Sequence, residues 1–134
     1  MNGAHTSSTV LIVEDEAPVR DFFSRALQLS GFTVAEASTA EAALGMIRAD
    51  LKPDGVLLDL TMPGIGGFGF LTALQADSRH RGIPVAIVTG HILIPDEVRA
   101  AARDLGVGIY HKPVTLEELV QLTNELIERR IPLS

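Results

Sequence analysis

The sequence predicts an α/β fold: a doubly wound, five-stranded parallel sheet with five helices packed on its two faces. Three observations carry this. Strand-like and helix-like patterns alternate five times along 134 residues, which is the signature of helix-covered parallel strands. The short runs VLIV (Val10 to Val13) and GVLL (Gly55 to Leu58) are apolar without alternation, as strands buried on both faces are. Acidic residues stand where both runs end: Glu14 and Asp15 after the first, Asp59 after the second.

Each element has its own local reasons. A strand at 10–14 leads to a helix near 17–30, with Pro18 tolerated in its first turn and Gly31 as its stop. A strand near 33–37 leads to a helix near 39–50, capped by Ser38 or Thr39 with Glu41 in the first turn. The strand at 55–59 runs into a Gly/Pro-rich loop, TMPGIGG, before a helix near 67–77. A strand at 84–89 is followed by a helix near 96–105, with Asp96 as candidate cap. The last strand, 107–111, precedes a helix at 115–129, where Thr115 and Glu118 have the spacing of a capping box. That helix carries an apolar stripe at 116, 119, 120, 126 and 127, interrupted by Thr123, with Leu122 placed to widen it toward a partner. The domain is expected over 9–131, preceded by a flexible tail, 1–8. No effector sequence follows, so the chain is expected to act alone or to come from a longer protein.

Composition narrows the function. The chain has no Cys, so thiolate metal sites, catalytic thiols and disulfides are excluded, and a cytoplasmic location is expected. No apolar run approaches the roughly 18 residues of a membrane span. The first nine residues lack a signal peptide's basic start and apolar stretch. A net charge of −6 without a basic stripe argues against nucleic acid as a partner.

Open α/β sheets bind ligands outside the carboxyl ends of their strands. Three carboxylates gathered there repel unless a cation shares them. Hard oxygen donors suit Mg²⁺, which takes one or two carboxylates and bridges to phosphate. Asp59 is a candidate nucleophile, since a carboxylate forms aspartyl-phosphate. Lys112 follows the last strand at the same edge, where an ammonium serves as a point charge for phosphate. The Thr89 hydroxyl is placed to donate to a phosphoryl oxygen, and Gly90 leaves its backbone N–H open to an anion. Each residue alone has an ordinary reading, as a strand-end cap or a solvated charge. Met62 reads as loop packing, and the four histidines show no metal spacing.

The segments LIVEDE, LLDLTMPGIGG, IPVAIVTG and HKPV together resemble the receiver domain of bacterial response regulators, of the chemotaxis-regulator kind, over roughly residues 8–130. The resemblance implies a flavodoxin-like sheet in the order 2-1-3-4-5. It implies that Asp59 is the phosphoacceptor, that Glu14 and Asp15 hold Mg²⁺, and that Thr61 offers the metal its backbone carbonyl. Thr89 and Lys112 would contact the phosphoryl group, and the Lys112–Pro113 bond would be cis. A histidine kinase or histidine phosphotransfer protein would be the donor. The output would be a downstream protein, or a second copy, on the face formed by the fourth and fifth strands and helices. On this reading the protein is a signalling switch that catalyses only its own phosphoryl transfer and dephosphorylation.

Two positions depart from that family's habit. Glu14 stands where Asp is frequent, so its longer arm is expected to reach the metal through water. Ile109 stands three residues before Lys112, where Tyr or Phe usually acts as a rotating switch; Tyr110 is adjacent and faces the other way in a strand. The HILIP segment, 91–95, is therefore expected to carry the signal, with at least one of Ile92, Leu93 and Ile94 exposed. A receiver-like interaction module that never takes phosphate is the alternative, and the intact acidic and lysine set argues against it. A dehalogenase-type phosphatase would want an acid/base Asp where Thr61 stands. A flavodoxin would want a hydroxyl- and Gly-rich loop where EDEAP stands.

Overall fold

The computed structural model describes residues 8–60, 66–90 and 93–130. Strands and helices alternate: β1 (Thr9–Val13), α1 (Ala17–Leu29), β2 (Thr33–Ala37), α2 (Ala40–Arg48), β3 (Gly55–Leu58), α3 (Gly66–Ala76), β4 (Val85–Thr89), α4 (Asp96–Leu105), β5 (Gly108–His111) and α5 (Leu116–Arg130). All strand pairs are parallel, in the order β2-β1-β3-β4-β5. The expected order holds, and β1 and β3 lie side by side with Val13 opposite Leu58.

Alternating strand residues split the core in two. Leu11, Val13, Val56, Leu58 and Ile87 face α2, α3 and α4. Val10, Ile12, Leu57, Ala86 and Val88 face α1 and α5. The two clusters explain why the central strands carry no polar alternation, because both sheet faces are covered.

Helix ends follow local chemistry. The Thr39 hydroxyl accepts from the Ala42 N–H at 3.0 Å. At α5 the capping box closes both ways: Thr115 N–H donates to Glu118 at 2.8 Å, and Glu118 N–H to the Thr115 hydroxyl at 3.0 Å. At α4 the residue before the helix is Pro95, without a side-chain cap; Asp96 is inside the first turn, where its charge meets the helix dipole instead. Helices α1 and α4 end at Gly31 and Gly106, both with positive φ. Helix α2 ends with the same paired bonds, Asp50 N–H to Ile47 C=O and Leu51 N–H to Met46 C=O, but the left-handed residue is Asp50. The helix therefore stops at Arg48, not at 50.

On α5, Leu119, Leu122, Thr123, Leu126 and Ile127 are buried, while Leu116 is exposed. Leu122 is thus buried and adds no exposed edge to the stripe. Among the described residues no helix is long and apolar enough to cross a membrane.

Candidate functional site

The sheet ladder runs one residue past three strands, and this assembles the site. Glu14 N–H donates to Ala37 C=O of β2 at 3.0 Å, and Asp59 N–H to Val13 C=O of β1 at 3.0 Å. Lys112 N–H donates to Thr89 C=O of β4 at 2.8 Å. Residues distant in sequence are fixed at one carboxyl edge by backbone bonds alone. The Lys112–Pro113 bond is cis, as the resemblance implies.

Glu14, Asp59 and Thr89 are essentially buried, while Asp15 is exposed. Glu14, Asp15 and Asp59 each offer an oxygen within 4.8 Å of the others. The Lys112 ammonium lies 2.7 Å from Glu14 Oε1, 3.7 Å from Glu16 Oε1 and 3.8 Å from Asp59 Oδ2. Glu14 Oε2 accepts from the Glu16 N–H at 3.2 Å. Arg20 reaches back from α1 to donate to the Glu14 carbonyl at 2.7 Å and leans on Glu36 of β2 at 3.5 Å.

The electrostatics follow from burial and crowding. Burial pushes the Glu14 carboxyl above its ordinary pKa against the pull of its Lys112 bond, and the Asp59 charge adds to the rise. Burial alone would lower Lys112; its bond to Glu14 and the charges of Asp59, Glu14 and Glu16 outweigh that and hold it above its ordinary value. Four carboxyl groups, those of Glu14, Asp15, Glu16 and Asp59, crowd this edge around the one Lys112 ammonium. The donor set is all oxygen, which fits Mg²⁺ and not a soft metal.

Of the residues expected from the sequence, Glu14, Asp15, Asp59, Thr89 and Lys112 are brought to this edge. Gly90 follows β4 with its surface open: a Cβ there would meet nothing within 4 Å. Thr61 lies outside the described residues, as does Ile92. Of the apolar loop after β4, Leu93 is exposed and Ile94 is buried, so one large apolar side chain does face outward. Sequence reasoning misses two contributors. Glu16 is the third acid of EDE, a signal present in the run itself. Arg20 has no such signal, because its contact depends on how α1 leans across β1 and β2.

A third feature supports the edge from below. A Cβ on Gly67, in the first turn of α3, would overlap the Asp59 carbonyl oxygen and lie 2.8 Å from Leu60 Cα. Helix α3 begins directly against the backbone of Asp59, an approach open to glycine only.

The chain's likeness to known proteins agrees with this geometry. The family model described as "Response regulator receiver domain" matches residues 10–124. The transcriptional regulatory protein PrrA of Mycobacterium tuberculosis is 35% identical over 131 residues, which cover 97% of this chain and 54% of PrrA. The phosphate regulon transcriptional regulatory protein PhoB of Escherichia coli is 33% identical over 126 residues, 93% of this chain and 54% of PhoB. The chain thus spans about half the length of these relatives. Among solved structures, the chemotaxis response regulator CheY4 of Vibrio cholerae superposes with a TM-score of 0.79 at 26% identity, covering 90% of this chain and 98% of CheY4. A CheY-like receiver domain protein from Methanospirillum hungatei gives 0.82 at 23% identity, covering 92% and 96%, and supports the fold.

Proposed function

Because the chain belongs to the response regulator receiver family, we propose that Asp59 accepts a phosphoryl group from a histidine kinase or histidine phosphotransfer protein, with Mg²⁺, and that this switches a protein-binding face. The observation that carries the reading is the buried Asp59 carboxylate, within ligand distance of Glu14 and Asp15 and 3.8 Å from the Lys112 ammonium. An Asp59 oxygen attacks phosphorus in line; the new O–P bond forms as the donor's P–N bond breaks, and its electron pair returns to the imidazole nitrogen. Glu14, Asp15, Asp59 and the Thr61 carbonyl are the groups assigned to Mg²⁺, which when bound spreads the charge of the phosphoryl oxygens. Lys112 supplies the charge from the other side, and Thr89 and Gly90 border the space the group enters.

The test is intact mass after incubation with acetyl phosphate and Mg²⁺. A gain of one phosphoryl group is expected in the natural chain and none in Asp59→Asn; an equal gain in both would overturn the assignment.

The output is assigned to α4, β5 and α5, with the loop after β4 as the moving part. A groove of about 420 Å³ between β5 and α5, lined by Tyr110, Val114, Glu118, Leu122 and Glu125, lies on this face. Leu93, ahead of α4, and Leu105, in its last turn, are exposed apolar side chains. Hydrogen exchange with and without beryllofluoride, a phosphoryl mimic, is expected to change across 90–105. Change elsewhere but not there would exclude this route.

A further inference from the structure

The groove between β5 and α5 is charged with one sign. Its floor is apolar, formed by Tyr110, Val114 and Leu122, and its α5 wall carries Glu118, Gln121 and Glu125. Apart from His111, no side chain able to carry a positive charge lines it among the described residues. Both acids are exposed, and their own helix holds them in place. Glu118 Oε1 accepts from the Thr115 N–H at 2.8 Å, and Glu125 Oε2 from the Gln121 amide at 3.4 Å. Neither bond neutralises a carboxylate. Residues 118, 122 and 125 share a face of α5, so the acids flank Leu122 and stand about 10.5 Å apart along the helix axis. At about 420 Å³ the groove has the size of a binding pocket, and its apolar floor with a few fixed polar groups is the lining such pockets have.

We propose that this groove takes a basic amphipathic helix of a partner protein, with apolar side chains set over Tyr110, Val114 and Leu122 and two cationic side chains, seven residues apart, paired with Glu118 and Glu125. The proposal rests on the output face assigned above and gives that face a partner chemistry. The spacing of the acids selects a helix. Along a strand, side chains on one face recur about every 6.7 Å, so a gap of about 10.5 Å falls between two steps. In a helix, residues seven apart return to the same face at that distance, with apolar positions between them. A helix laid with its apolar face in such a groove is a recurring mode of recognition. A second copy of this chain supplies the cations poorly. Its own helix on this face, α4, has Arg99 and Arg103 only four residues apart, about 6 Å, and carries Asp96, Glu97 and Asp104 beside them. The chain's net charge of −6 also sets two copies against each other.

The test uses the full chain and fluorescence anisotropy of labelled alanine-based helical peptides. The first peptide carries two arginines seven residues apart with two leucines between them. The second has glutamates in place of the arginines, and the third has the arginines four residues apart. The first should bind, the second should not, and the third should bind more weakly than the first. Glu118→Gln and Glu125→Gln keep a hydrogen-bond acceptor at each position and remove only the charge. Each should weaken the first peptide by about two- to fivefold, and the pair together should flatten its dependence on salt. Equal binding of the first and second peptides, no binding of any peptide, or a double variant that binds as the natural chain does overturns the proposal. So does sedimentation that shows the natural chain pairing with itself and the double variant monomeric, which would assign the groove to a second copy. The measurements are repeated with Mg²⁺ and beryllofluoride. Binding of the first peptide that is equal with and without beryllofluoride supports the partner chemistry and overturns only the switching of this face.

Discussion

Replacing Gly67 with alanine should loosen the fold at the point where the site is built. The new methyl would overlap the Asp59 carbonyl oxygen, with Leu60 Cα at 2.8 Å and the Asp59 carbonyl carbon at 3.1 Å. Comfortable carbon–carbon contact is about 3.5–4.0 Å, so α3 must retreat by roughly 0.7–1 Å. The neighbours are backbone atoms, and no rotamer change relieves them. Overpacking of this kind costs about 1–3 kcal/mol, and the upper half applies where the obstacle is main chain. Alanine's better helix propensity returns up to about 1 kcal/mol. The net loss is about 1–2 kcal/mol, or a Tm lower by roughly 3–10 °C at this size. Gly45 is the control: it lies mid-helix in α2 with nothing within 4 Å of an added Cβ. The same substitution there should stabilise by about 0.5–1 kcal/mol. Urea unfolding of both variants, with acetyl phosphate labelling of the first, measures the contrast. A Gly67→Ala protein as stable as the natural chain would show that the α3–Asp59 contact does not constrain the fold.

Three further outcomes are expected. Asp15→Asn should raise the stability of the metal-free protein and weaken Mg²⁺ binding, since it removes one of three crowded carboxylates; thermal melts with and without Mg²⁺ should move in opposite directions relative to the natural chain. Asp50→Gly should stabilise by about 0.5–1 kcal/mol, because Asp50 ends α2 at φ 80°, where an L side chain is strained; chemical denaturation reads this directly. The Asp77 carboxyl, held by the Arg79 side chain and then by its backbone N–H, should titrate at about 2 by NMR. Its folded value lies below the unfolded value of about 3.9, so its contribution to stability is present above that pH and is lost as pH falls toward 2.

The strands and the acidic edge are legible because both are written locally. A strand buried on two faces must be apolar throughout, so Val10 to Val13 and Val56 to Leu58 announce themselves, and a charged residue following such a run falls at the strand's end. The helix stop at Gly31 is legible for a similar reason, since glycine marks the left-handed position. Asp50 adopts that conformation without being glycine, so α2 reads two residues too long. Leu122 reads as a partner-facing residue, yet α5 is buried over a wider arc than its stripe suggests: α1 and the sheet both cover it. The Glu14–Lys112 pair is invisible in the sequence for another reason. It joins residues 98 apart, and its existence depends on one methylene of reach.

The same distinction separates the chemistry of the site from its output. Chemistry depends on which groups the sheet edge collects, and the backbone ladder fixes that almost regardless of what the helices do. Output depends on which face a moving side chain is packed against. Here Ile109 packs with the cluster under α2, α3 and α4, and Tyr110 with the cluster under α1 and α5. The Tyr110 ring folds back over Gly108, where a Cβ would lie 3.0 Å from the ring edge. Strand alternation thus puts the only tyrosine of the chain on the α5 side of β5, lining the groove there, and leaves an aliphatic side chain on the α4 side. An aliphatic group has no hydroxyl to exchange between a buried and an exposed partner. Thr89 shares a backbone bond with Lys112, and further along the chain stand Leu93 and Ile94. One of those side chains is already outside and the other is held in the core.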